Sequence, residues 1–343
     1  MARTGRAGSG VGGLFPDSKF PDSKLWNQSL AGPLPYATLD WPSSPVCTRL
    51  RERLMFAIPL RTACLAVLLG LGLAPLPAAA VIQGQVSRDP NGLRASVVRI
   101  ESTQGEICSG TLIAPDLVLT AAHCVMHRAG YSVIAVDRSF RQHRIGTVAA
   151  SMHPDFVPGT TPEDQPGVDL ALIKLAQPMG ADFQPLDPRG GGGIATGESV
   201  EIAGFGVVAE NRRNTARTLR EAHLVSIGSL QVANRVTVVT DRRRLAETAG
   251  AGACLGDSGG PILRGGPGGY QIVGVVSWSS GAMQQSARHR TACGGFTAVT
   301  PIGEHASWIS SRAAELAQMQ VGEALPANRR NRSDWMARPG RRN

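Results

Sequence analysis

Aromatic residues make up only 5% of this sequence, with three tyrosines in 343 residues. A fold that reads DNA or RNA needs interleaved aromatics beside a basic surplus on its folded part. That surplus is missing as well. Of a formal charge of +9, residues 1–54 carry +3, residues 55–80 carry +1 and residues 323–343 carry +4, which leaves +1 for residues 81–322. Nucleic acid is therefore excluded as a partner. Cysteine is scarce, and six in a chain of this length are too few for a disulfide scaffold. The 41 glycines keep no three-residue period, so the chain is not collagen-like. What is present is a hydrophobic fraction of 42%, too high for a wholly disordered chain. A globular protein with additional ends remains.

Composition changes along the chain. Residues 1–54 are rich in Gly, Ser and Pro and repeat Phe-Pro-Asp-Ser-Lys at 15–19 and 20–24 without apolar periodicity, so they are expected to be a disordered leader. Residues 55–80 have the three parts of a signal peptide: Arg61, an apolar run over 63–73, and Ala78-Ala79-Ala80 as the cleavage site. Such a segment belongs at an N-terminus. Either translation begins at Met55 and the leader is not made, or residues 62–81 form a single-pass anchor of about the length a bilayer needs. Both readings export the residues after 80, to the cell exterior or the periplasm, and only the first leaves the protein without stable membrane association. Residues 319–343, with Arg329, Arg330, Arg332, Arg341 and Arg342, read as a basic flexible tail.

Between these ends, short β-rich runs alternate with Gly, Pro, Asn and Asp. They include 96–100, 111–113, 118–120, 133–136, 170–175, 200–203, 236–240 and 272–277. Many short strands at this spacing predict an all-β, antiparallel sandwich or barrel. The run Pro188-Arg-Gly-Gly-Gly-Gly193 reads as a linker within 188–197. An amphipathic helix is expected over 304–317, with Trp308, Ile309, Ala313 and Leu316 on one face.

Three stretches carry the chemistry: Leu119-Thr-Ala-Ala-His123-Cys124, Val168-Asp169-Leu-Ala-Leu-Ile-Lys-Leu175, and Gly256-Asp257-Ser258-Gly259-Gly260-Pro261. Each alone reads as a structural histidine, a turn aspartate or a glycine loop. Together, in the order His, Asp, Ser on an exported all-β chain, they resemble the trypsin/chymotrypsin family of serine proteases over about residues 81–310, within a protease domain expected over 81–318. The resemblance implies two six-stranded antiparallel barrels with the active site between them and a C-terminal helix. By the motif matches, His123 is the general base, Asp169 the carboxylate that orients it, and Ser258 the nucleophile.

A serine hydroxyl is too weak an acid to attack an amide at neutral pH, so a neighbouring imidazole must take its proton. A carboxylate on Nδ1 fixes the tautomer that leaves Nε2 free for the serine. Asp169 suits this role better than Asp155, Glu163 or Asp164, because it opens an apolar strand that can bury it, whereas the others lie in Pro/Gly-rich loop. The backbone N–H groups of Gly256 and Ser258 are expected to form the oxyanion hole.

The resemblance further implies disulfides Cys108 to Cys124 and Cys254 to Cys293. Zinc is the competing reading of four cysteines with histidine, but the spacings form no Cys-x-x-Cys or His-x-x-x-His pair, and neither metal nor cofactor is expected. In this family a freed Ile or Val end turns inward and pairs with the Asp before the catalytic Ser. Val81-Ile82-Gln83-Gly84 resembles that start, with Asp257 as the partner and Gln83 in place of a glycine. Signal cleavage after Ala80 would then produce the active form without a propeptide. Gly252 falls at the floor of the substrate pocket, followed by Ala253. Ser277-Trp278-Ser279 forms its wall, with Ser279 replacing the usual Gly, and Gly294 its far edge. An uncharged floor and a narrowed mouth predict small or medium apolar P1 side chains. The segment 281–293 departs from the family's length and places Arg288 and Arg290 at the rim. Expected partners are protein or peptide substrates and a protein inhibitor, with the chain acting as a monomer. The alternative function is a protease-like binding protein without turnover.

Overall fold

Runs of Val, Ile and Leu between turn residues become strands throughout residues 81–88, 92–266, 269–285 and 291–319, the residues that the computed structural model describes. The expected leader and signal peptide, residues 1–80, Arg288, Arg290 and the tail from residue 320 lie outside them. After a short β1 (Gln85–Val86), six strands follow: β2 (Val97–Ser102), β3 (Ile107–Ala114), β4 (Leu117–Thr120), β5 (Tyr131–Val136), β6 (Gln142–Met152) and β7 (Ala171–Leu175). They close an antiparallel barrel in the order β2-β3-β4-β7-β6-β5. A second six follows: β8 (Ser199–Gly204), β9 (Arg220–Gln231), β10 (Arg235–Thr240), β11 (Pro261–Arg264), β12 (Gln271–Gly281) and β13 (Gly294–Pro301). Their order is β8-β9-β10-β13-β12-β11, closed by pairing of β8 with β11, and β1 adds to β9. The strand order is the same in both barrels.

β4 and β7 are buried at every position. Their inner faces meet the barrel core and their outer faces lie under α1 (Ala306–Ala317), which packs over both. Burial on both faces explains a continuous apolar run where a one-sided strand would alternate. Lys174, in the middle of β7, is tolerated because its ammonium meets the Asp116 carboxylate at 2.5 Å. The helix buries Ile309 and Leu316 and sets Trp308 and Ala313 against the same cluster, the face expected from the sequence.

The connection between barrels runs from the end of β7 to β8 and contains the glycine run. It is a packed element. Gln271 Nε2 donates to Gly190 O at 2.8 Å and Arg264 Nη2 to Gly193 O at 3.0 Å. A Cβ on Gly191 would collide with the Ile272 carbonyl oxygen, so glycine serves here for close backbone approach.

Candidate active site

His123 lies in a 3₁₀ turn, Ala122–Val125, directly after β4, and the disulfide Cys108 to Cys124 ties that turn back to β3. Ala121 and Ala122 are fully buried, so small side chains let the turn sit deep between the barrels. Asp169 arrives from the other direction, one residue before Leu170, and is also fully buried. Its Oδ1 accepts from the His123 backbone N–H at 3.0 Å, and its Oδ2 faces His123 Nδ1 at 2.8 Å. A carboxylate only accepts, so Nδ1 carries the proton and Nε2 is left as the acceptor. Burial works to raise the Asp169 carboxyl. The charge of His123 and the hydrogen bonds from His123 and Ser277 outweigh it and hold the group below its ordinary range.

The Ser277 hydroxyl donates to Asp169 Oδ2 at 2.5 Å and is buried. The sequence places Ser277 at the pocket wall and carries no hint of this contact. From β12 in the second barrel, Ser277 reaches across the cleft to hold a carboxylate of the first.

Around Ser258 the backbone N–H groups divide sharply. Asp257 N donates to Cys254 O at 3.0 Å, Gly259 N to Val276 O at 2.7 Å and Gly260 N to Asp257 O at 2.9 Å. Those of Gly256 and Ser258 have no protein acceptor among the described residues. Gly256 has φ +97°, and a Cβ there would approach Gly206 Cα to 3.1 Å, so a side chain is excluded twice over. Ser109 organises the loop from β3. Its N–H donates to Ser258 O at 2.8 Å, its hydroxyl donates to Gly256 O at 2.8 Å, and that hydroxyl accepts from Phe205 N at 2.9 Å. The imidazole and the serine backbone share a neighbour, because Cys124 Sγ lies 3.7 Å from His123 Nε2 and 3.6 Å from Ser258 O. No hydrogen bond among the described residues joins Ser258 Oγ to Nε2, a contact that commonly tightens only when substrate is bound.

Asp257 is fully buried and accepts from Gly206 N at 2.7 Å and Cys254 N at 2.9 Å. Burial pushes its carboxyl up to about 7, opposed by those backbone bonds and the charge of Arg220. No bond joins it to Val81 among the described residues. Val81 is itself fully buried, and Ile82 N donates to Gly252 O at 3.2 Å, which pins the start of the domain beside the pocket floor.

The stretch expected at the pocket floor, Gly252 and Ala253, carries no charge. Ala253 N donates to Thr297 Oγ1 at 3.1 Å, and a Cβ on Gly252 would stand 3.5 Å from both Thr297 Oγ1 and Gly294 Cα. Gly294 O accepts from Gly250 N at 2.8 Å, and the disulfide Cys254 to Cys293 closes one side. Trp278 packs against Val236, Val238 and Ala298, while Ser279 turns its hydroxyl away to Ala292 O at 2.7 Å. Sulfur and nitrogen atoms of Cys108, His123 and Cys124 lie within 4.8 Å of one another, but the two sulfurs are bonded to each other and hold no metal-binding thiolate. The supporting roles of Ser109, Gly206, Ser277 and Thr297 were not legible beforehand, because each depends on contact between distant segments.

The profile of the Trypsin family matches residues 82–309, about two thirds of the chain. The chain is 28% identical over 216 residues to human chymotrypsin-like elastase family member 1, covering 60% of this chain and 80% of that protein. It is 31% identical over 188 residues to the vitellin-degrading protease of Bombyx mori, covering 51% of this chain and 67% of that protein. Among solved structures, mouse neuropsin superposes with a TM-score of 0.52 at 22% identity, covering 67% of this chain and 99% of that one. A mutant of human heparin binding protein gives 0.51 at 20% identity, covering 71% and 99%. At those identities the structures speak for the fold alone. With its family match, its paired barrels and its two disulfides, the chain belongs to the trypsin family of serine proteases.

Proposed function

We propose that this chain is an exported serine endopeptidase that cleaves peptide bonds through an acyl-enzyme on Ser258. Ser258 Oγ attacks the scissile carbonyl carbon while its proton passes to His123 Nε2. The same proton is then delivered to the leaving amine as the C–N bond breaks, and water repeats the sequence to release the acid. Asp169 and Ser277 keep the imidazole oriented, and the N–H groups of Gly256 and Ser258 receive the oxyanion. The observation that carries this reading is the imidazole clamped by a buried carboxylate at 2.8 Å beside two unclaimed N–H donors.

The uncharged floor of Gly252, Ala253 and Thr297 supports small or medium apolar P1 residues. Burial of Val81 supports its release as the new N-terminus, where its ammonium would pair with Asp257 after signal cleavage at Ala80. The signal-like segment 55–80 supports secretion or periplasmic delivery, with proteins and peptides as substrates and the monomer as the working form. A fluorophosphonate probe tests the chemistry: the exported protein should take one label, and Ser258→Ala none. An unlabelled, correctly folded protein favours the binding-protein alternative. N-terminal sequencing should begin at Val81, and a different start on labelled protein removes the activation scheme. Arg or Lys at P1 in peptide-library cleavage removes the pocket assignment.

A further inference from the structure

The triad, the oxyanion donors and the pocket floor all lie along the cleft, but one carboxylate outside this set reaches the pocket rim from an unexpected direction. Glu210 follows the segment after β8. Near its start that segment is tied to the nucleophile loop, with Gly206 N donating to Asp257 Oδ1 at 2.7 Å and Val207 N to Leu255 O at 2.9 Å. At Glu210 it is tied to the opposite side of the pocket. Glu210 Oε1 accepts from Ala292 N at 2.6 Å and from Thr291 Oγ1 at 3.1 Å. The Thr291 hydroxyl in turn accepts from Cys293 N at 3.1 Å, so its own hydrogen is directed at Glu210. Ser279 Oγ holds Ala292 O at 2.7 Å from the pocket wall, and the Cys254 to Cys293 disulfide fixes the far end. Gln285, from the same rim, accepts from Thr291 N at 2.7 Å.

Residues 291–293 are thus suspended between the wall strand, the disulfide, their own rim and one carboxylate. The first three belong to the pocket itself. Among the described residues, Glu210 is the side chain of the segment after β8 that hydrogen-bonds to the rim, and that segment also positions Asp257. We propose that Glu210 is a positioning residue that sets the width of the P1 pocket mouth and thereby its preference for smaller side chains. This inference rests on the catalytic reading of Ser258. Both hydrogen bonds converge on a single oxygen, so the role depends on an acceptor in that place and not on charge: an amide oxygen serves equally, and a methyl group does not.

The test compares full-length exported protein as wild type, Glu210→Ala and Glu210→Gln. Peptide substrates differing only in P1, Phe against Ala, report the mouth. A short-chain alkyl fluorophosphonate, too small to fill the pocket, reports Ser258. Expected for Glu210→Ala is a Phe-to-Ala ratio of kcat/KM raised by about tenfold, mainly through KM, with labelling within about twofold of wild type. Glu210→Gln should restore the wild-type ratio. Labelling that persists while the Glu210→Ala ratio is unchanged or falls overturns the inference alone, as does a Gln variant that behaves like Ala. Labelling lost from all three proteins overturns the catalytic reading, and this inference with it.

Discussion

The two barrels share a strand order but differ in how they treat a fully buried aspartate. Asp169, presented by the first barrel, has an imidazole at 2.8 Å and a serine hydroxyl at 2.5 Å, and its carboxyl stays below the ordinary range. Asp257, in the second, has only backbone N–H donors and is pushed up to about 7 by burial. Asp169 has a charged partner in direct contact, whereas Asp257 feels only the charge of Arg220 and is bonded by backbone N–H groups. Under the proposed function, this difference gives the barrels different tasks: the first holds the base ready, and the second would make the pocket and oxyanion site conditional on the freed Val81 end.

The largest effect should come from breaking the Asp169 site. Asp169→Asn keeps the shape but removes the charge that holds the imidazole tautomer, and kcat should fall about 10⁴-fold, the size that the equivalent substitution has in this family. Steady-state kinetics on a peptide substrate will show it, and a loss of less than tenfold would mean that another group orients His123. Next is the Asp257 site. A chain that starts at Val81 should lose about 10²-fold or more in kcat/KM when one alanine precedes it, since an uncompensated buried charge costs about 3–5 kcal/mol.

The same comparison has a pH signature. In the uncleaved chain the Asp257 carboxyl sits at about 7 against an ordinary 3.8, so its contribution to stability is complete below 3.8 and lost as pH rises through 7. An ammonium beside it pulls the carboxyl down, and once it lies below 3.8 its contribution to stability is complete above 3.8 and lost only as pH falls through the lowered value. The Asp257 contribution to the thermal midpoint of Ser258→Ala protein should therefore fall across pH 4–7 when residues precede Val81 and stay level when Val81 is the first residue. Parallel trends would separate Asp257 from activation. A smaller effect is expected from Ser277→Ala, which removes one donor from Asp169: kcat should fall about tenfold with KM unchanged.

What could be read in advance follows the same division. Strands buried on both faces, such as 117–120 and 171–175, announce themselves as nearly continuous apolar runs, interrupted only by Thr120 and Lys174. The His, Asp and Ser motifs are local strings, as are the cysteines beside them. β6 is harder to see, because only Ile145 and Ser151 of its eleven residues are buried and its pattern is neither alternating nor continuous. Long-range hydrogen bonds leave no local trace. Ser109 to Gly256 spans 147 positions and Ser277 to Asp169 spans 108, and only barrel closure brings those partners together. The glycine run at 190–193 shows the same limit: composition marks it as a linker, while the close approach of the Ile272 carbonyl that requires Gly191 leaves no local trace.

The smallest predicted effect isolates burial from catalysis. Glu201 lies on β8 of the second barrel, and burial first, then the charge of Glu221, pushes it up to about 7 from 4.5. Its cross-strand partner His223 stands 3.9 Å away but is mostly exposed and compensates little. Because the folded-state value is raised, this carboxyl also contributes stability that is complete below 4.5 and lost as pH rises through 7. Replacing it with Gln removes the loss, so Glu201→Gln should raise the thermal midpoint at pH 8 by about 3–6 °C and change it little at pH 4. Fluorophosphonate labelling should not change, since no cleft residue touches Glu201. An equal shift at both pH values would show that packing, and not ionisation, governs this position, and would weaken the claim that a buried carboxylate without a cation in direct contact is what sets the second barrel apart.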